Sequence, residues 1–225
     1  MGLFRTISEE GNAGIPEATI AAFIAGDTNA FKFVYNKYRE RIFSYCFYIM
    51  GDSATAEDAF QEVWVKVYTN RSQLRHSNAI KSWLLMVARS VCMNLLRTSV
   101  FTPDFISIDT PRDEEHREHI ELSAIEINPE MPEQIFELAF KKIGPIYRDA
   151  FLLKEIEGYS YNEIAKMTGA TITNVKVRIN RAKKMLREIL APHFDIAFEK
   201  NEAEENVKQE KKKPKINKSV LMMLW

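Results

Sequence analysis

The chain has 225 residues, enough for one large or two small domains, each with its own core. Hydrophobic residues make up 46%, and eight glycines with eight prolines are too few for a low-complexity or all-β chain. Net charge is zero, which taken over the whole length argues against a nucleic-acid partner, but the charges are sorted along the chain and that inference reverses segment by segment.

The residues to about Gly14 lack periodicity and are expected to fray. No apolar run of signal-peptide type precedes Arg5, and no stretch approaches the roughly 18 apolar residues of a membrane span, so a soluble, intracellular, cytoplasmic protein is expected. Pro16 suits the first turn of a helix running to about Ala25, broken by Gly26-Asp27. A long helix follows from about Thr28 to Met50, with Phe31, Val34, Tyr35, Tyr38, Ile42, Tyr45 and Ile49 at helical spacing and Gly51-Asp52-Ser53 ending it. The next, Ala54 to about Tyr68, sets Ala56, Phe60, Val63 and Val67 on one face and Glu57, Asp58, Gln61 and Glu62 on another. Residues 70–77, NRSQLRHS, read as a polar loop. Ile80 to Arg97 reads as a helix with Ile80, Leu84, Val87, Val91 and Leu95 inward and Ser82, Arg89, Met93 and Arg97 on the opposite face. Core packing accounts for most of Trp64 and Trp83.

From 32 to 97 ten Lys/Arg stand against five Asp/Glu, net +5. An acidic face inside this basic block points to a protein contact rather than a DNA contact. From 98 to 133 the balance is two against ten, net −8. Prolines interrupt, periodicity vanishes, and 98–131 is expected to be a flexible acidic linker. From 134 to 192 eleven stand against six, net +5 again. Two basic blocks flanking an acidic bridge are what two nucleic-acid surfaces, separated by a strip that repels phosphate, would give.

Pro132 opens a helix to Lys142, Gly144-Pro145 turns the chain, and Ile146 to Glu157 supplies another. Ser160 and Glu163 then stand in the order of a capping box, which opens a short helix. Gly169 supplies the left-handed residue of a tight turn. A second helix starts near Thr171, with Val175, Ile179, Ala182 and Leu186 as one apolar stripe. Lys176, Arg178, Arg181, Lys183, Lys184 and Arg187 share it, with no acidic residue before Glu188. Two short helices around a glycine turn, the second apolar inside and basic outside, describe a helix-turn-helix with a recognition helix for the major groove. An ordinary helical hairpin with a solvated lysine face is the plainer alternative. Beyond Pro192 lies a charged tail with a short apolar end.

Cys46 and Cys92 stand in apolar helical surroundings without a CxxC or Cys/His cluster, so buried free thiols are expected. His116 and His119 have a spacing that could hold a metal but sit among solvated carboxylates. No metal and no cofactor is expected, and without a phosphate-cradling glycine loop or a nucleophile–base pair nothing supports an enzyme.

Taken together, AEDAFQEVWVKVY (56–68), WLLMVARSVCMNLLR (83–97) and EIEGYSYNEIAKMTGATITNVKVRINRAKKML (155–186) resemble bacterial sigma factors of the extracytoplasmic-function class of the sigma-70 family. The likeness covers about residues 16–191. It departs at Thr168, where the family usually has an aliphatic residue, and at Val177, where a small polar residue is frequent. The resemblance implies an all-α protein of two small helical domains, 16–97 and 132–191, joined by the acidic linker 98–131 and followed by the tail 192–225. It implies that Asp58, Gln61 and Glu62, braced by Trp64, face the clamp helices of the largest subunit of core RNA polymerase, whose flap is a second contact. Gln73, Leu74 and His76, with Arg89, Asn94 and Arg97, would hold the melted downstream promoter element. Lys176, Val177, Asn180 and Arg181 would read base edges of the upstream element, with Arg178, Lys183, Lys184 and the backbone at Thr171 and Ile172 on phosphates. The acidic linker, Asp113, Glu114, Glu115 and Glu118 among it, would lie across the polymerase active-site path. An anti-sigma factor is a common further partner in the class. A DNA-binding regulator with a LuxR-like output domain explains 132–191 as well, but gives no reason for the pattern over 56–97.

Overall fold

The computed structural model describes residues 15–99 and 132–191. The expected linker beyond residue 99, with His116 and His119, and the expected tail from 192 onward lie outside them. Within the described residues the chain is helical. Helices α1 (Glu17–Ala25), α2 (Thr28–Met50), α3 (Ser53–Asn70) and α4 (Ile80–Ser99) form a first bundle. Helices α5 (Pro132–Lys142), α6 (Pro145–Phe151), α7 (Tyr161–Thr168) and α8 (Ile172–Leu190) form a second.

Local chemistry sets these ends. Asp27 accepts the Ala30 amide at 2.8 Å to start α2, and Asp52 accepts the Thr55 amide at 2.9 Å to start α3, each satisfying a donor that has no partner inside its helix. Gly51 ends α2 at φ 87°, where a side chain is strained, and a Cβ there would stand 2.9 Å from a guanidinium nitrogen of Arg148 in the second bundle.

In the first bundle α2, α3 and α4 pack on one another. Val34, Ile42 and Ile49 of α2, Ala56, Val63 and Val67 of α3, and Leu84, Ala88 and Val91 of α4 are fully buried, each of the larger ones contributing roughly 1.5–3 kcal/mol of transfer free energy. Cys46 and Cys92 are buried free thiols. A hydrogen bond between them, then burial, pushes the Cys92 thiol far above its ordinary range, so it is an inert proton-bearing core group. By length and composition Ser77–Thr98 would suffice for a membrane span, with a mean hydropathy of 1.3, which the sequence reading did not register. Ile80, Leu84, Leu85, Ala88, Val91, Cys92 and Met93 of this stretch lie in the core, while Met86 is 46% exposed.

Three features differ from expectation. The polar loop at 70–77 holds two single 3-10 turns, Arg71–Gln73 and Ser77–Ala79, and between them Leu74 drops into the core at 3% exposure. On α4 the buried surface is wider than the inward stripe, because Leu85, Cys92 and Met93 are buried as well. Met93, expected on the face opposite the inward stripe, is 6% exposed, and on that face Arg89 meets Asp149 of the second bundle while Arg97 stays exposed. Finally, α6 does not run as α-helix to Glu157. It passes at Leu152 into a π turn ending at Ile156, in which the Glu157 amide reaches back five residues to the Leu152 carbonyl at 2.9 Å.

The second bundle packs α8 against α5, α6 and α7, with Val175, Ile179, Ala182 and Leu186 buried. The two bundles are also packed directly on each other and share one apolar core. Tyr48 of α2 meets Phe140 of α5 edge-on at 5.4 Å between ring centroids.

Candidate nucleic-acid interface

Ser160 and Glu163 make the reciprocal capping box: the Ser160 amide donates to Glu163 at 2.8 Å, and the Glu163 amide to the Ser160 hydroxyl at 3.3 Å. The Ser160 hydroxyl, which donates to the Glu163 carboxylate at 2.7 Å, and then the Ser160 amide hold that carboxyl below its usual range. Gly169, at φ 69°, turns the chain, and Thr171 caps α8 by accepting the Asn174 amide at 3.1 Å. With its apolar stripe fixed in the core, α8 has one way to face. Thr171, Ile172, Lys176, Val177, Asn180, Arg181 and Lys184 are all exposed, whereas Arg178 is half-buried. Val177 and Ile172, 41% and 43% exposed, give an apolar patch among the cations that suits a thymine methyl. Lys183 does not join this face; it turns to Glu155 at 3.1 Å and is only 16% exposed.

On α3, Asp58 and Gln61 are exposed, and Glu62 pairs with Lys66 at 2.7 Å. Trp64 is 7% exposed, packed against Tyr35 at 4.8 Å and Phe31 at 5.9 Å between centroids. Beside the acidic face lies a groove of about 470 Å³ lined by Phe31, Tyr35, Phe60, Trp64 and Tyr68. Sequence reasoning missed it, although Phe60, Trp64 and Tyr68 stand four apart on α3 and Phe31 and Tyr35 four apart on α2.

The residues expected to hold a melted strand are not gathered on one surface. Gln73 and His76 are exposed, while the Leu74 side chain is spent in the core. Asn94 and Arg97 are exposed and bonded to each other at 2.8 Å. Arg89 is half-buried and donates to Asp149 of α6 at 2.7 Å.

Two family models match the sequence: sigma-70 region 2 over residues 34–100 and sigma-70 region 4 over residues 133–186. The chain belongs to the sigma-70 family. Within it, this is a sigma factor of the extracytoplasmic-function class, acting with RNA polymerase in transcription initiation. It is 26% identical over 172 residues to the ECF RNA polymerase sigma factor SigW of Bacillus subtilis, covering 73% of this chain and 91% of that one. To the ECF RNA polymerase sigma-E factor of Escherichia coli strain K12 it is 27% identical over 173 residues, covering 74% and 90%. In three dimensions it is similar to the sigma factor RpoE solved with the anti-sigma factor NepR from Bartonella quintana, with a TM-score of 0.54 at 20% identity over 73% of this chain and 98% of that one. That last likeness speaks for the fold alone. The region 2 match gives this sigma factor's first half a reason that a LuxR-like regulator lacks.

Sequence reasoning also missed the seam between the two bundles. Asp149 is 2% exposed and accepts from Tyr45 at 2.7 Å as well as from Arg89. Burial, then the Asp149 charge, holds the Tyr45 hydroxyl well above its usual range. Burial opposes the Arg89 charge but the Asp149 carboxylate outweighs it, so the guanidinium is held more firmly protonated. Glu157 accepts both Arg41 and Lys81. One sign was legible beforehand: Arg148-Asp149 stands beside the apolar run Ala150 to Leu153, where a solvated pair is out of place.

Proposed function

We propose that this sigma factor docks on the clamp helices and flap of core RNA polymerase, reads the upstream promoter element with α8 and melts the downstream one. The exposed set Lys176, Val177, Asn180 and Arg181 carries the reading. These residues leave α8 on the side opposite its buried stripe, at the N-terminal half that enters a major groove in helix-turn-helix proteins. Arginine on guanine and asparagine on adenine each discriminate by about 1–3 kcal/mol, while the backbone amides of Thr171 and Ile172, with Arg178 and Lys184, hold phosphates and contribute affinity without sequence.

Polymerase docking uses Asp58, Gln61 and Glu62, exposed or partly exposed on α3, with the apolar groove beside them giving the contact a desolvated centre and the acids its orientation. Gln73, His76, Asn94 and Arg97 remain the strand-holding set, with Arg89 joining once it is released from Asp149. Capture of an extruded base repays its unstacking. As in other members of the class, an anti-sigma factor is proposed as a further partner.

Runoff transcription with core polymerase on genomic fragments tests this reading and yields the promoter. Arg181→Ala is expected to lower promoter-directed initiation about ten- to a hundredfold while sparing binding to core. Asp58→Ala with Glu62→Ala is expected to weaken core binding while sparing DNA. Identical failure of both variants in both assays would refute the division of labour.

A further inference from the structure

The first bundle directs three cations at the second. On α4, Lys81, Leu85 and Arg89 fall at i, i+4 and i+8, one stripe about 12 Å long, and Arg41 stands beside it on α2. Each cation is held by a carboxylate from the other bundle. Glu157 takes Arg41 with a two-pronged grip, Nε to Oε1 at 2.9 Å and Nη2 to Oε2 at 2.7 Å, and takes Lys81 at 3.2 Å. Asp149 takes Arg89 at 2.7 Å. The π turn serves this match. Eight α-helical steps would leave Asp149 and Glu157 about 80° out of phase, and the wider turn between them, which winds less per residue, brings both to the α2/α4 side.

The exposures are unequal. The Asp149 and Glu157 side chains are 3% and 4% exposed, whereas Arg41, Lys81 and Arg89 keep 18%, 35% and 21%. The acids are sealed by the contact; the cations still reach water. The neighbouring contact is also imperfect, since Arg148 donates to the Tyr48 carbonyl at 3.1 Å while its Nε is buried without a partner. Buried ion pairs give little net stability, so closure also draws on the apolar contact that Tyr48 and Phe140 make beside them, and domains packed through such mixed contacts move relative to one another unless the apolar part is large. A carboxylate fork on arginine is also the geometry that a phosphate offers.

We propose that this seam is a polyanion-released lock, in which Asp149 and Glu157 occupy Arg41, Lys81 and Arg89 as stand-ins for the phosphates of a single DNA strand. Strand and closed seam compete for the same three cations. Closure therefore weakens strand binding, and strand binding favours opening by the same factor. The lock keeps Arg89 from DNA until the bundles part. The identity of the strand rests on the reading of α4 as a promoter-melting helix; the lock itself does not.

The test uses the full chain, with a donor and acceptor dye on cysteines placed at the exposed positions Lys32 and Asn162 and a fluorescent oligo-dT strand as probe. Asp149→Asn with Glu157→Gln is expected to lower energy transfer in the free protein and to bind the strand about tenfold more tightly. Glu17→Gln with Glu40→Gln, an equal charge change on exposed residues, is expected to do neither. Arg41→Gln, Lys81→Gln and Arg89→Gln together are expected to open the protein without the gain in affinity. In the unaltered seam, adding the strand is expected to lower transfer. Unchanged transfer in the Asp149/Glu157 variant would overturn the lock. Opening with no more affinity than the Glu17/Glu40 control, or a gain kept by the triple-glutamine variant, would overturn the competition, and an equal gain for a duplex would overturn the single-strand assignment. Opening and tighter binding in a protein that directs no initiation with core polymerase would support the lock and refute the proposed function. Circular dichroism verifies that each variant is folded.

Discussion

Helix α6 packs in two directions, and the two contacts differ in kind. Within its own bundle it contributes Ala150 and Phe151, with the Phe151 ring 5.6 Å from Phe140 and wholly buried. Toward α2 and α4 it contributes Arg148 and Asp149, adjacent residues that between them meet a carbonyl, a phenol and a guanidinium. An apolar contact loses its whole transfer free energy when it parts, since water offers it nothing in exchange. A charged contact is partly repaid by hydration on both sides when it parts. The first kind builds a domain; between the bundles it is present too, as Tyr48 on Phe140, but beside charged contacts that can part and re-form.

The sharpest way to break this contrast is Phe151→Ala. It empties a fully buried site and is expected to cost about 3–5 kcal/mol, read as a lower urea midpoint for the second bundle. A small loss there, with the bundles parting instead, would show that the apolar side is not what holds α6 in place.

Tyr45→Phe acts on the other side and is expected to cost only about 1 kcal/mol at neutral pH, one hydrogen bond to Asp149. Its pH dependence is the better signature. The groups facing the Tyr45 hydroxyl are Asp149, Arg89 and Cys92, and burial first, then the Asp149 charge, raises its folded pKa well above the ordinary 10.0. A raised pKa means that the stabilisation is full below pH 10.0 and is lost as pH climbs beyond it, because the unfolded phenol ionises and the folded one does not. The unaltered chain is therefore expected to lose stability above pH 10 faster than Tyr45→Phe, so the gap between them closes. Arg148, which burial pulls down to about 10, is common to both chains and cancels. Parallel denaturation curves from pH 9 to 11 would show that the phenol is not sealed.

The smallest effect is expected at an ion pair outside the seam. Glu62 and Lys66 are 2.7 Å apart but 41% and 37% exposed, so Lys66→Gln is expected to change stability by no more than about 0.5 kcal/mol. A larger cost would mean that proximity alone, rather than burial, gives the Asp149 and Glu157 contacts their weight.

Much of the fold and of the α8 face was legible because both rest on near neighbours in the chain. The stripe from Val175 to Leu186 fixes which way α8 turns, so Lys176, Asn180 and Arg181 had to point out. The strand-holding set was less legible. Leu74, lone and apolar among polar residues, reads equally as an exposed probe or as a plug, and the bundle takes it as a plug. Arg89 sits on a helix face that is polar enough to look solvated, and only a second body can cover it. Lys183 looked like its basic neighbours until Glu155 on the preceding segment claimed it.

By itself, then, the sequence determined helices, caps, turns and the inner and outer faces of each element, since period, capping oxygen and glycine act within a turn or two of where they stand. The tertiary structure decided which charges are free. Asp149 and Arg89 are 60 residues apart, and Glu157 and Arg41 are 116 apart. A carboxylate that would be solvated on an isolated helix becomes a sealed partner only when two bundles close on it, because desolvation and pairing are set by what arrives from elsewhere in the chain.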